Sequence, residues 1–187
     1  PLEEALDLVA ADDGARLGDE LGRIGYAGPA PCPTAAAPHA YVELHIEQGP
    51  VLEAEGITVG VVEGVQGISW TEIVIVGQSA HAGTTPMRLR HDPAYCAAAI
   101  TTYVRDLTRL LGAQQVGTVG RIDVYPNLVN VVPARVVMTV DLRNTDDSVL
   151  CEAEARLVAF LDELAAAEGV DISTTSLARF EPVEFVS

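Results

Sequence analysis

Apolar residues recur along the chain at two spacings, and each change of spacing marks an element. Leu2, Leu6 and Val9 repeat at a helical interval until Asp12-Asp13-Gly14 breaks it. Leu17, Leu21 and Ile24 predict a second short helix. Gly28 to Pro38 holds four prolines in eleven positions, which predicts a loop. From Tyr41 to Glu47 the spacing drops to two: Val42, Leu44 and Ile46 alternate with Tyr41, Glu43, His45 and Glu47. This predicts a strand with one apolar and one partly charged face, ended by Gln48-Gly49-Pro50.

A second pattern begins at Gly60. The β-branched run Trp70 to Val76 predicts a strand. Asp92 followed by Pro93 predicts a capped helix whose apolar stripe is Cys96, Ile100, Tyr103, Leu107 and Leu110, stopped by Gly112. Val116 to Val124 is a second strand, and Arg135 to Arg143 a third with Val136, Met138, Val140 and Leu142 inward. Ser148 to Glu168 predicts a second amphipathic helix, with Leu150, Leu157, Leu161 and Leu164 on one face and Gly169 after it. Val170 to Leu177 is a fourth strand. The order β-α-β-β-α-β predicts an α+β, ferredoxin-like unit: four antiparallel strands with two helices on one face. The N-terminal piece has too few elements to make a domain alone.

Composition narrows the function. With 11 Lys and Arg against 27 Asp and Glu the net charge is −16. Such a chain repels phosphate, which excludes sequence-independent nucleic-acid binding. Hydrophobic residues make up 49% and charged residues 20%, which excludes intrinsic disorder. No run of about 18 apolar residues occurs, so no membrane-spanning helix is expected. The first turn is acidic, unlike a signal peptide. Cys32, Cys96 and Cys151 lack metal-type spacing; Cys96 and Cys151 fall in helical patterns and are expected in the core, and the setting expected is cytoplasmic. The chain begins at Pro1 rather than Met, as a piece cut from something longer would.

Three places could carry chemistry. His45 sits at a strand end between Glu43 and Glu47, where an imidazole could ligate a metal or simply make one hydrogen bond. Gly77 to Pro86 gathers glycines, small residues, hydroxyls and His81 in a loop, where His81 could donate to a developing oxyanion or simply be solvated. Pro126 to Pro133 precedes Asp141-Leu142-Arg143-Asn144. Arg143 could clamp a carboxylate, or form a surface ion pair with Asp141 or Asp146. The acids of the second long helix read as a solvated surface.

The string Glu43-Leu44-His45-Ile46-Glu47-Gln48-Gly49-Pro50-Val51-Leu52-Glu53, followed by His81-Ala82-Gly83-Thr84-Thr85-Pro86-Met87, resembles the hydantoinase/carbamoylase family. These are N-carbamoyl-amino-acid amidohydrolases, relatives of allantoate amidohydrolase and yeast-type β-ureidopropionase within the aminoacylase and carboxypeptidase-G-like metallohydrolases. Asn130-Val131-Val132-Pro133 and Asp141-Leu142-Arg143 fit as well, so the resemblance runs from about Ala11 to Val186. Gly64-Val65-Gln66-Gly67-Ile68-Ser69-Trp70 is more like the carbamoylases than the allantoate enzymes.

The resemblance implies a ferredoxin-like lid inserted in an α/β catalytic domain: 1–56 the end of a first catalytic segment, 57–178 the lid and dimerisation domain, 179–187 a return strand. It implies that His45 ligates one of two divalent ions, Zn or Mn with Co or Ni as options. His81 would polarise the scissile carbonyl, often across a homodimer, Asn130 and Arg143 would bind the substrate carboxylate, and Gln48 and Gln66 would lie near the site. The remaining ligands of that family have no match here, so the chain supplies one metal ligand and by itself is expected to be inactive. The alternatives are an allantoate amidohydrolase and a lid-like dimerisation or binding module without activity. The partner expected is a small-molecule substrate, with no nucleic acid and no membrane.

Overall fold

The structure, a computed structural model, describes residues 2–28, 39–112 and 114–185. Most of the proline-rich loop and Cys32 lie outside the described residues. The chain divides into two compact units, Pro1–Thr58 and Val59–Ser187.

The first unit holds three short helices, α1 (Leu2–Leu6), α2 (Leu17–Arg23) and α3 (Val51–Glu55). The turn at Asp12-Asp13-Gly14 separates α1 from α2, with Gly14 at a φ of 72° that favours glycine. Glu47 supplies the missing partner of α3: its Oε1 accepts from the backbone N–H of Val51 and Leu52, at 3.0 and 3.2 Å. Tyr41 to Glu47 is not a strand in this structure. A strand is a pairing, and among the described residues no second strand lies alongside this stretch, so its alternation finds no ladder. Val42 and Leu44 are consequently 93% and 90% exposed.

The second unit has the predicted order. It runs β1 (Gly64–Val65), β2 (Gly67–Val76), β3 (Ala80–His81), α4 (Pro93–Leu111), β4 (Val116–Tyr125), β5 (Val131–Val132), β6 (Arg135–Asn144), α5 (Asp147–Glu168), β7 (Asp171–Phe180) and β8 (Val183–Glu184). The four long strands lie in the order β4-β6-β2-β7, every neighbour antiparallel. β1 pairs with β8 and β3 with β5 as two small ribbons, which the apolar pattern did not predict because two-residue strands carry no period.

One face of the sheet packs on both helices. Ile73 and Ile75 from β2 and Val136, Met138, Val140 and Leu142 from β6 meet Ile100, Val104 and Leu107 of α4 and Leu150, Leu157 and Leu161 of α5. Each side chain of this size contributes about 1.5–3 kcal/mol when fully buried. Asp92 caps α4 by accepting from Ala94 and Tyr95, at 2.9 and 3.3 Å, and Asp146 caps α5 through Ser148 and Val149. The hydrogen bonds from Ser148 hold the Asp146 carboxyl below the usual carboxylate range.

Two expectations fail in detail. Leu110 is exposed; the buried stripe of α4 passes through Val104 and Leu107, and Leu110 is rotated off it. Cys151 is exposed rather than in the core, because Leu150 and Ala153 take the inward positions of that turn. Cys96 is fully buried, and burial pushes its thiol up to about 11.

Candidate active site

The β3–β5 ribbon continues from the Val76/Arg135 end of the sheet. Gly77 N–H donates to Ala134 O at 2.9 Å, and His81 stands opposite Val131. A side chain at Gly77 would put its Cβ 2.3 Å from the carbonyl oxygen of His91, so only glycine allows this close approach. Ala82 N–H donates to Asn130 O at 3.0 Å, which joins His81 and Asn130 into one cluster. Arg90 braces the loop from behind, its Nε donating to Thr85 O at 3.0 Å and Nη2 to Ala82 O at 2.6 Å. Sequence reasoning missed Arg90; its only signal was a basic residue beside a glycine-rich loop in an acidic chain.

His81 is exposed, and its Nδ1 accepts from Gly83 N–H at 3.0 Å. A ring nitrogen that accepts carries no hydrogen, so the neutral imidazole has its proton on Nε2. The side chain therefore presents an N–H donor outward.

Arg143 lies at the opposite end. Arg135 and Arg143 are eight steps apart on β6, which is on the order of 25 Å of strand. Arg143 pairs with Ile68 on β2 and with Val116 on β4. Its side chain lies on the sheet face away from the helices, half-buried, with Cζ 5.9 Å from the centre of the Trp70 ring. Asp141 grips it bidentately: Nε donates to Oδ1 at 3.0 Å and Nη2 to Oδ2 at 2.8 Å. That hydrogen-bonded pair raises the already high pKa of Arg143, so it stays charged. The surface ion pair foreseen as the alternative is present, with Asp141 and not with Asp146 as partner. A cavity of about 230 Å³ adjoins it, lined by Trp70, Thr118, Thr139, Asp141 and Leu177. Gln66, half-buried, lies just before β2 at this same end.

His45 and Gln48 belong to the first unit. His45 is exposed, and its Nδ1 lies 2.7 Å from the carbonyl oxygen of Ile46. A carbonyl can only accept, so Nδ1 carries the hydrogen and Nε2 keeps its lone pair. Gln48 has a φ of 56°, the left-handed conformation that turns the chain from this segment into α3. Among the described residues no three His, Cys, Asp or Glu side chains converge on a common point. The state of His45 fits a single imidazole ligand, and it is not unique to that residue: His91 Nδ1 likewise lies 3.0 Å from a carbonyl oxygen, that of Glu168.

No family model matches the chain. Individual proteins do. An N-carbamoyl-L-amino-acid amidohydrolase of Rhizobium meliloti is 40% identical over 173 residues, 92% of this chain and 41% of that protein. Allantoate amidohydrolase of Escherichia coli (strain K12) is 40% identical over 137 residues, 71% of this chain and 33% of that protein. The crystal structure of a hydantoinase/carbamoylase family amidase from Burkholderia multivorans superposes with a TM-score of 0.87 at 43% identity, over 98% of this chain and 44% of that one. The chain thus spans well under half the length of these relatives. Sequence and fold agree along the part that it does span: the chain belongs to the hydantoinase/carbamoylase family.

Proposed function

We propose that the protein carrying this chain is a metal-dependent amidohydrolase that cleaves the carbamoyl C–N bond of N-carbamoyl amino acids. On this reading residues 57–178 are its lid and dimerisation domain, 1–56 the end of a first catalytic segment and 179–187 the return toward it. The observation that carries the reading is the state of His81. Its Nδ1 is occupied by Gly83 N–H, so Nε2–H is preset to donate to the oxygen on which charge develops as water adds to the carbamoyl carbon. Arg143 binds the amino-acid carboxylate, and Asn130, Gln48 and Gln66 complete the contacts.

The separation of the two ends of the sheet supports a homodimer. A carbamoyl amino acid, about two residues of backbone in length, spans roughly 7 Å. It cannot reach both His81 and Arg143 of one copy, so a second copy supplies one of the two. The chemistry that two bound divalent ions (Zn or Mn, with Co or Ni as options) would supply is a water of lowered pKa and a polarised carbamoyl oxygen. This chain would hold one of them through His45 Nε2. No helix among the described residues is long and apolar enough to cross a membrane, and the cysteine pattern fits a cytoplasmic enzyme.

The test is steady-state kinetics with metal analysis on the full-length enzyme. His81→Ala lowers kcat by about 10²–10³ with little change in KM and unchanged metal. Arg143→Lys keeps the charge but loses the planar fork, and raises KM roughly ten- to hundred-fold. His45→Ala loses one ion. Wild-type kcat in His81→Ala would return that residue to a solvated loop histidine. The 40% identity to an allantoate amidohydrolase favours allantoate as the second reading, since it too is a ureido carboxylate. Relative kcat/KM on allantoate and on N-carbamoyl amino acids separates the two, and no turnover of either with full metal leaves a lid-like binding module.

A further inference from the structure

Arg143 is gripped along one edge only. A guanidinium has two edges able to make paired hydrogen bonds: one formed by Nε and Nη2, the other by Nη1 and Nη2. Asp141 occupies the first edge completely, with contacts of 2.8, 3.0 and 3.1 Å. Nη1 and the second hydrogen of Nη2 have no acceptor among the described residues.

The rest of the open sheet face keeps that edge free. Across the sheet, Arg143 stands in register with Val116 on one side and Ile68 on the other, and Ile68 with Phe180. This row offers no acid. Further along the same face, Glu72 and Asp123 each meet Arg121 at 2.9 Å. The Trp70 ring lies on the same face, its centre 5.9 Å from Cζ of Arg143. Partly exposed as it is, the Asp141–Arg143 pair stabilises the fold only slightly. Its larger effect is on geometry, because an unpinned arginine would sample many rotamers and lose that freedom again on binding.

We propose that Asp141 is a positioning residue: it holds the Nε/Nη2 edge of Arg143 so that the Nη1/Nη2 edge faces outward as a preset bidentate site for a ligand carboxylate. This rests on the reading of Arg143 as the carboxylate clamp. Asp141 itself never touches the ligand; as an acid it would repel a carboxylate, and its charge is spent on the guanidinium.

The experiment compares acid and amide ligands on the full-length enzyme, using N-carbamoyl amino acids and their uncharged carboxamides. Asp141→Asn keeps the size of the side chain and removes the bidentate grip. The result expected is a KM for the acid raised about ten-fold, with kcat within about two-fold and KM for the carboxamide unchanged. The melting temperature should stay close to wild type, which checks that the variant folds. Asp141→Glu, which keeps the charge, should recover part of the loss. Equal losses on acid and carboxamide would mark a merely structural residue and overturn the proposal, as would an unchanged KM for both. Arg143→Lys serves as the separate control. Should it leave the acid-to-carboxamide ratio unchanged, the clamp itself is wrong; should it lower the ratio while Asp141→Asn does not, only the positioning role falls.

Discussion

The stretch Tyr41–Glu47 and the strand β6 carry the same alternation and end in opposite states. Val42, Leu44 and Ile46 are exposed, Leu44 to 90%, whereas Val136, Met138, Val140 and Leu142 are all 0–1% exposed. The apolar content is alike, so content does not make the difference. β6 has a strand on each side and two helices across its inner face, while the other stretch has no ladder partner among the described residues. An alternating pattern states which face is to be buried; burial itself needs neighbours.

The histidines of the two regions differ in the same spirit. His45 and His81 are both exposed and both use Nδ1 in a hydrogen bond, but one meets a carbonyl and the other an N–H. The protons accordingly sit on opposite nitrogens. One imidazole presents a lone pair at Nε2 and the other an N–H donor, the two states that the proposed ligand and donor roles require.

The largest effect is expected in the core. Met138→Ala should destabilise the 59–187 unit by about 2–5 kcal/mol, and Leu44→Ala in this chain by no more than about 0.5 kcal/mol, by chemical denaturation. In the full-length enzyme, where we propose that further catalytic-domain strands flank residues 41–47, Leu44→Ala should cost about as much as Met138→Ala. Equal small losses in both settings would refute that placement.

Helix capping sharpens the contrast at a smaller scale. Asp92→Ala should cost the sheet unit about 1 kcal/mol, since α4 is a packed helix of 19 residues. Glu47→Ala removes the side chain at the start of α3, a helix of five residues with none buried, and should leave the main transition within about 0.5 kcal/mol. A larger effect from Glu47 would show that the first unit is more cooperative than its burial indicates.

The smallest effect is spectroscopic. Nitrogen NMR of the neutral rings should find the proton on Nδ1 in His45 and on Nε2 in His81. The same tautomer in both would undo the division of roles.

The sequence by itself determined the four long strands, the two long helices and their order. Each is ten residues or more, so its period is repeated often enough to stand out, and the helices carry their own caps at Asp92, Gly112 and Gly169. It also singled out His45, His81, Asn130 and Arg143 through motifs set in the right order. Tertiary structure alone decided the rest. The two-residue ribbons exist only because their partners are brought alongside, and the exposure of Leu110 and Cys151 depends on the rotation of each helix against the sheet. Which ring nitrogen of each histidine carries the proton follows from one backbone group a residue or two away, and which edge of Arg143 stays free follows from where Asp141 points. The placement of His81 with Asn130 at one end of the sheet and Arg143 at the other is a matter of strand register, fixed when ten-residue strands pair along their full length, and no spacing along the chain records it.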